Sequence, residues 1–123
     1  MSDCGVCLSG WDGDSYNEFC DQKIRKARKP HTCSECKKPI SPGERYEHAV
    51  GKSDGDMWAF DTCLACAEIA EAFYCDGRLF GGMLWEEMRE TVFPHMTTGC
   101  LDRLFTAAAK AELLRRWNEW KFR

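Results

Sequence analysis

Two Cys-x2-Cys pairs, Cys33/Cys36 and Cys63/Cys66, stand 26 residues apart in the middle of the chain. Two thiol pairs with this spacing close a tetrahedron around one zinc ion, giving a structural site of four thiolates. The text around each pair agrees. After Cys36 comes Lys37-Lys38-Pro39-Ile40, a tight turn that lets a knuckle's backbone N–H groups point at the sulfurs. Pro42-Gly43 makes another turn, and residues 44–50 read as a short strand. Asp54-Gly55 is a hairpin dipeptide, and residues 57–60 read as the returning strand. Asp61 or Thr62 can cap a helix that opens with Cys63 and carries Cys66 in its first turn. The partly positive helix end favours thiolate over thiol there. Along the hairpin, alternate members of the set Tyr46, Val50, Trp58 and Phe60 should face a small core. Ile69, Ala70 and Phe73 follow Cys66 at helical spacing and should cover the hairpin.

A finger of about 40 residues is too small to stand without its metal. The chain as a whole is 44% hydrophobic, enough for a modest core in one domain of 123 residues. That domain divides into an N-terminal arm at 1–30, a finger at 31–76 and a helical extension at 77–123. No apolar run follows Met1, so neither a signal peptide nor a membrane span is expected. The expected setting is a reducing cytosol, where nine cysteines argue for metal rather than disulfides.

A third pair, Cys4/Cys7, lies among turn residues that suit a knuckle. One pair cannot close a tetrahedral site and needs two more ligands. Cys20, Cys75 and Cys100 are the remaining thiols, with His31, His48 and His95 as spares. A second zinc on Cys4 and Cys7 would draw on two of these, and Cys75, at the expected end of the finger helix, is the favoured partner. The other reading is a redox-sensitive pair without metal. Asp12-Gly13-Asp14 lacks the distal Glu of a calcium loop and reads as a turn. Trp11, Tyr16 and Phe19 are expected to pack the arm onto the finger.

Charge is segregated along the chain. Residues 1–22 carry five acids and no base, and residues 23–32 carry five bases and no acid. Lys23, Arg25, Lys26, Arg28 and Lys29 can contact phosphates, which position a protein without reading sequence. Alternatively the acidic arm folds back through Asp12, Asp14, Glu18 and Asp21 and neutralises them. The net charge of −3 argues against a general nucleic-acid binder.

Beyond the finger, Gly77 is expected to end the first helix. A second helix spans 83–92, with Leu84, Met88 and Val92 on one face and Glu86, Glu87 and Glu90 on the other. Gly81-Gly82 lacks the Lys-Ser/Thr of a phosphate loop. Pro94 stops that helix, residues 95–100 form a loop, and Thr106 caps a last helix over 107–120. Its apolar stripe is Leu113, Trp117 and Trp120, which is either core or partly an interface.

Knuckle, hairpin and a helix bearing the second pair resemble the treble-clef zinc-finger superfamily. The text C-x-x-C-x-x-x-I-x-x-G-x-x-Y, with a later Trp and Cys pair, is similar to LIM-type fingers and to the nick-sensing fingers of poly(ADP-ribose) polymerases. It departs from the latter in having Cys at all four ligand positions. R-K-A-R-K-P-H-x-C-x-E-C leading into G-E-R-Y-E also resembles short zinc proteins encoded by phages and prophages. The resemblance implies an α+β fold, a small zinc-stabilised treble clef with additional C-terminal helices. Four thiolates make a closed site, so no catalytic residues are expected. A treble-clef nuclease of the His-Asn-His kind could use His48 as base but would need a second His after Cys66, and the helix offers none. The expected function is that of an accessory protein binding a host or viral protein. Nucleic-acid binding through the segment 23–29 is the alternative, and a nuclease is a distant third.

Overall fold

The computed structural model describes residues 4–8, 17–53, 55–75 and 82–122, with backbone alone at 17–20 and 53. The chain is mixed α and β. A three-stranded antiparallel sheet runs in the order β1 (Asn17–Lys26), β4 (Arg45–Ser53), β5 (Asp56–Cys63). A two-stranded ladder, β2 (His31–Thr32) with β3 (Pro39–Ile40), frames the first cysteine pair. Helix α1 (Leu64–Phe73) follows β5 directly. The chain resumes with α2 (Leu84–Glu87), which widens into a π turn at Met88–Val92 and tightens into a 3-10 turn at Phe93–His95. A second 3-10 turn, Thr98–Arg103, leads to α3 (Ala107–Lys121).

Register follows from the turn at Gly55, whose φ of +86° needs a residue without Cβ. It sets His48 opposite Asp61 and Tyr46 opposite Cys63, and β1 adds Lys23 opposite His48 and Arg25 opposite Tyr46. Residues opposite one another share a face. One face therefore carries Lys23, Arg25, Tyr46, His48 and Asp61, and the other carries Ile24, Glu47, Ala49 and Thr62. On that second face Ala49 and Thr62 are fully buried and Glu47 is nearly so. Gly51 faces Trp58, and a Cβ there would lie 2.1 Å from the indole ring.

Helix α1 buries Cys66, Ala67, Ile69, Ala70 and Phe73, a stripe at the helical period. Leu84, Trp85, Met88 and Val92 bury one side of the second helical run. Ala109 and Leu113 seat α3, with Trp117 and Trp120 packed partly buried beside them. These buried residues apart from Ala67, with Leu8, Cys33 and Ile40, belong to one contiguous cluster, against which Trp117 and Trp120 pack. Thr106 caps α3, its hydroxyl accepting from the Ala109 N–H at 3.2 Å. The Glu68 carboxylate of α1 accepts from the Phe105 N–H at 2.6 Å and the Thr106 N–H at 3.1 Å, roping the start of α3 to α1. Among the described residues no helix is long and apolar enough to cross a membrane.

Several expectations change. The basic stretch is not wholly an arm, since Lys23, Arg25 and Lys26 belong to strand β1 and add it to the hairpin sheet. Neither Asp61 nor Thr62 caps α1. Cys63 occupies the cap position without a side-chain bond, and both Asp61 oxygens are taken by histidines. Helix α1 ends at Phe73, before Gly77, because Tyr74 turns away to bridge Leu8. The cysteines expected to be metal-bound or free in a reducing medium include two disulfides, Cys4–Cys100 and Cys7–Cys75. Trp11, Tyr16, Gly77 and Gly81, the Asp12-Gly13-Asp14 turn, and the side chains of Glu18, Phe19 and Cys20 lie outside the described residues.

Candidate metal centre and basic cleft

The knuckle sets the first cysteine pair. Lys37 adopts a positive φ of 65°, and its N–H returns to the Cys33 carbonyl at 3.0 Å, closing a tight loop. This curls backbone donors around one sulfur: the Cys36 N–H lies 3.5 Å and the Cys63 N–H 3.3 Å from Cys33 Sγ. The second pair rides on the junction of β5 and α1, and the Trp85 Nε1–H donates to Cys66 Sγ at 3.4 Å. The sulfurs of Cys33, Cys36, Cys63 and Cys66 all lie within 4.8 Å of one another, and Cys36 and Cys63 are 3.9 Å apart. A tetrahedral zinc with Zn–S bonds of about 2.3 Å places its sulfurs about 3.8 Å apart. The donor set and the spacing therefore fit one zinc ion.

Electrostatics favour the same occupant. Hydrogen bonds from the Cys36, Cys63 and Cys66 thiols drive the Cys33 thiol far down, while hydrogen bonding to Cys33 and Cys36 pushes the Cys63 and Cys66 thiols up. Four thiolates cannot share this space on their own, and a divalent cation removes the conflict by coordinating all four. Cys33 and Cys66 are wholly buried, so an ion held here is shielded from water on that side.

The shell around the four cysteines is tied to the helices. Glu35, inside the knuckle and buried, accepts from the Leu84 N–H at 3.1 Å, capping α2. Lys38, two residues past Cys36, pairs with Glu112 of α3 at 2.9 Å. Burial would raise the Glu112 carboxyl, but bonds from Arg116, Lys38 and Arg115 bring it down to about 2. Asp61, two residues before Cys63, accepts from His31 Nδ1–H at 3.1 Å and from His48 Nδ1–H at 2.7 Å. Its own carbonyl accepts from the Ser34 N–H at 2.8 Å, inside the knuckle.

His31 also lies against Tyr46, ring centroids 4.7 Å apart. Both line a cleft of about 1010 Å³ whose other walls include Arg25, Lys26, Arg28 and Lys29. Lys23 lies outside the cleft and pairs with Asp21 at 3.5 Å, both side chains well exposed. Asp21 is the one member of the expected acidic arm whose side chain is described, and among the described residues its ion pair is with Lys23. Among the described residues no carboxylate pairs with the four cations of the cleft.

The structure thus gathers Cys33, Cys36, Cys63 and Cys66 into one cluster, the only such cluster of potential ligands among the described residues. It pairs Cys4 and Cys7 with Cys100 and Cys75 as disulfides. His31 and His48, held in reserve as ligands, serve Asp61 instead, and His95 is exposed on a 3-10 turn. Glu35, Asp61 and Glu112 were missed as site residues. For Asp61 a signal existed: a two-residue turn at Asp54-Gly55 dictates that His48 and Asp61 are opposite. Comparison with known proteins found no matching family model, no matching curated protein and no matching solved structure.

Proposed function

We propose that the chain is a zinc-stabilised treble clef that acts by binding, without chemistry of its own, and that its ligand is the phosphate backbone of a nucleic acid. The observation that carries this is the cleft of about 1010 Å³ with Arg25, Lys26, Arg28 and Lys29 on its walls and no described carboxylate to neutralise them. The net charge of −3 counts for less than this local arrangement, because exposed charges beyond about 10 Å are largely screened at ordinary salt. In this reading the zinc is structural. It fixes the knuckle that follows the basic segment, and the Asp61–His31 bond fixes one wall of the cleft.

Binding of fluorescent DNA or RNA oligonucleotides across a salt series tests it. Affinity should fall with a slope of log K against log salt of about −3 to −5. Replacing Arg25, Lys26, Arg28 and Lys29 together by Ala should weaken binding to all sequences alike. No binding at low salt sinks the reading.

A protein partner is the second reading. It is favoured by an apolar groove of about 410 Å³ where Ile24 of β1 and Leu64 of α1 are 53% and 43% exposed. Such a groove suits an accessory protein of the phage or prophage kind docking on a host or viral protein. Capture from a bacterial lysate before and after nuclease treatment separates the two readings.

A further inference from the structure

Four of the other cysteines are joined in two disulfides that lie side by side. Cys4 is joined to Cys100, and Cys7 to Cys75, with Cα separations of 4.8 Å and 5.6 Å. The two disulfides are neighbours, because one guanidinium touches both. Arg103 Nη1 lies 3.4 Å from Cys4 Sγ, and its Nη2 lies 3.5 Å from Cys75 Sγ. The elements that bring them together are fixed independently of the sulfurs. The Leu8 N–H donates to the Phe73 carbonyl at 2.7 Å, docking the 4–8 segment on the end of α1. Arg103 donates to the Val6 carbonyl at 2.7 Å and to the Ala72 carbonyl, and covers the Phe73 ring at 4.4 Å. Cys100 is fully buried on the 3-10 turn that also carries Arg103.

The arrangement matches the first cluster in kind: a Cys-x2-Cys loop, here Cys4 and Cys7, faces two cysteines from later elements. We propose that in the reduced chain Cys4, Cys7, Cys75 and Cys100 hold a second zinc ion as a four-thiolate site, and that the two disulfides are its oxidised, metal-free form. Each disulfide takes two electrons and two protons from a dithiol reductant, which itself becomes a disulfide. The four thiols so formed release four protons as the ion binds. The resulting site carries two net negative charges, and Arg103, already in contact with sulfurs of both pairs, offsets one of them. Two neutral disulfides have no such need for a cation. The inference is independent of what the basic cleft binds.

The test is zinc stoichiometry of the full chain by native mass spectrometry. The protein is prepared with a dithiol reductant and excess Zn²⁺, and again after mild oxidation by a disulfide reagent. Two zinc ions per chain are expected in the reduced form. One zinc is expected after oxidation, and the denatured, metal-free chain should then weigh four hydrogens less than the reduced, metal-free chain. The Cys7→Ser, Cys75→Ser double variant should hold one zinc in either medium. Arg103→Met should weaken the second zinc about 10-fold or more while leaving the first unchanged. One zinc in the reduced wild type, with these four cysteines free to alkylate, overturns the proposal. So do two zinc ions in the double variant. If that variant does not fold, the reduced-against-oxidised count in the wild type still decides.

Discussion

Glu112 sits among three cations, and that crowding gives it a role out of proportion to its place near the chain's end. It accepts from Arg115 and Arg116 on its own helix at 2.6 and 2.7 Å, and from Lys38 of the knuckle at 2.9 Å. Its side chain is only 12% exposed, so these bonds are partly shielded from water. The carboxyl is depressed to about 2, so its contribution to stability is fully present above the unfolded carboxylate range and is lost as pH falls towards 2. Glu112→Gln should therefore destabilise the zinc-loaded protein at neutral pH by about 1–3 kcal/mol. The gap between variant and wild type should narrow below about pH 4.5 and close only towards pH 2. Urea unfolding at several pH values checks this, and a gap that stays constant into acid would contradict it. Asp61 joins His31 and His48 beside the knuckle, with one oxygen for each.

At the scale of elements, the hairpin and α1 were readable because their signals are local. Turn residues at Gly55, alternation along β4 and β5, and the helical spacing of Cys66, Ile69, Ala70 and Phe73 need no distant partner. The second helix was readable for the same reason, with Leu84, Met88 and Val92 buried as their spacing requires. Strand β1 was not. Its Lys23-to-Lys26 end holds one apolar residue, Ile24, so charge hid the alternation that pairing with β4 reveals. The ends of α1 also escaped, because Asp61 and Tyr74 are committed to long-range partners that composition does not show. The hairpin offers a sharp check. Gly51→Ala would set a methyl 2.1 Å from the Trp58 ring, which also lies tilted against Phe60 with centroids 5.7 Å apart. The ring must shift, and a loss of about 1–3 kcal/mol is expected in thermal melts of the zinc-loaded protein. An unchanged melting temperature would mean Trp58 does not lie over Gly51.

Across the whole molecule, the four clustered thiols are not an isolated staple. Cys33 and Cys66 belong to the same buried cluster as Phe73, Trp85, Met88 and Leu113. Glu35 caps α2 from inside the knuckle, Trp85 donates to Cys66, and Lys38 reaches α3. Removing an ion from this centre would free four thiols that repel as they ionise, and would loosen these three ties to the helices together. Metal binding at such a site is folding energy, on the order of 10 kcal/mol or more. The pairing of Cys4 and Cys7 with Cys100 and Cys75 holds the N-terminal segment to the same body through different elements, so the two clusters can be separated by experiment. The most direct measurement is elemental analysis of the purified chain, joined to far-ultraviolet circular dichroism before and after a chelator. The expected result is bound zinc whose removal abolishes most of the helical signal, with Cys33→Ser or Cys66→Ser reproducing that loss. A chain that carries no zinc, and whose spectrum a chelator leaves unchanged, would contradict it.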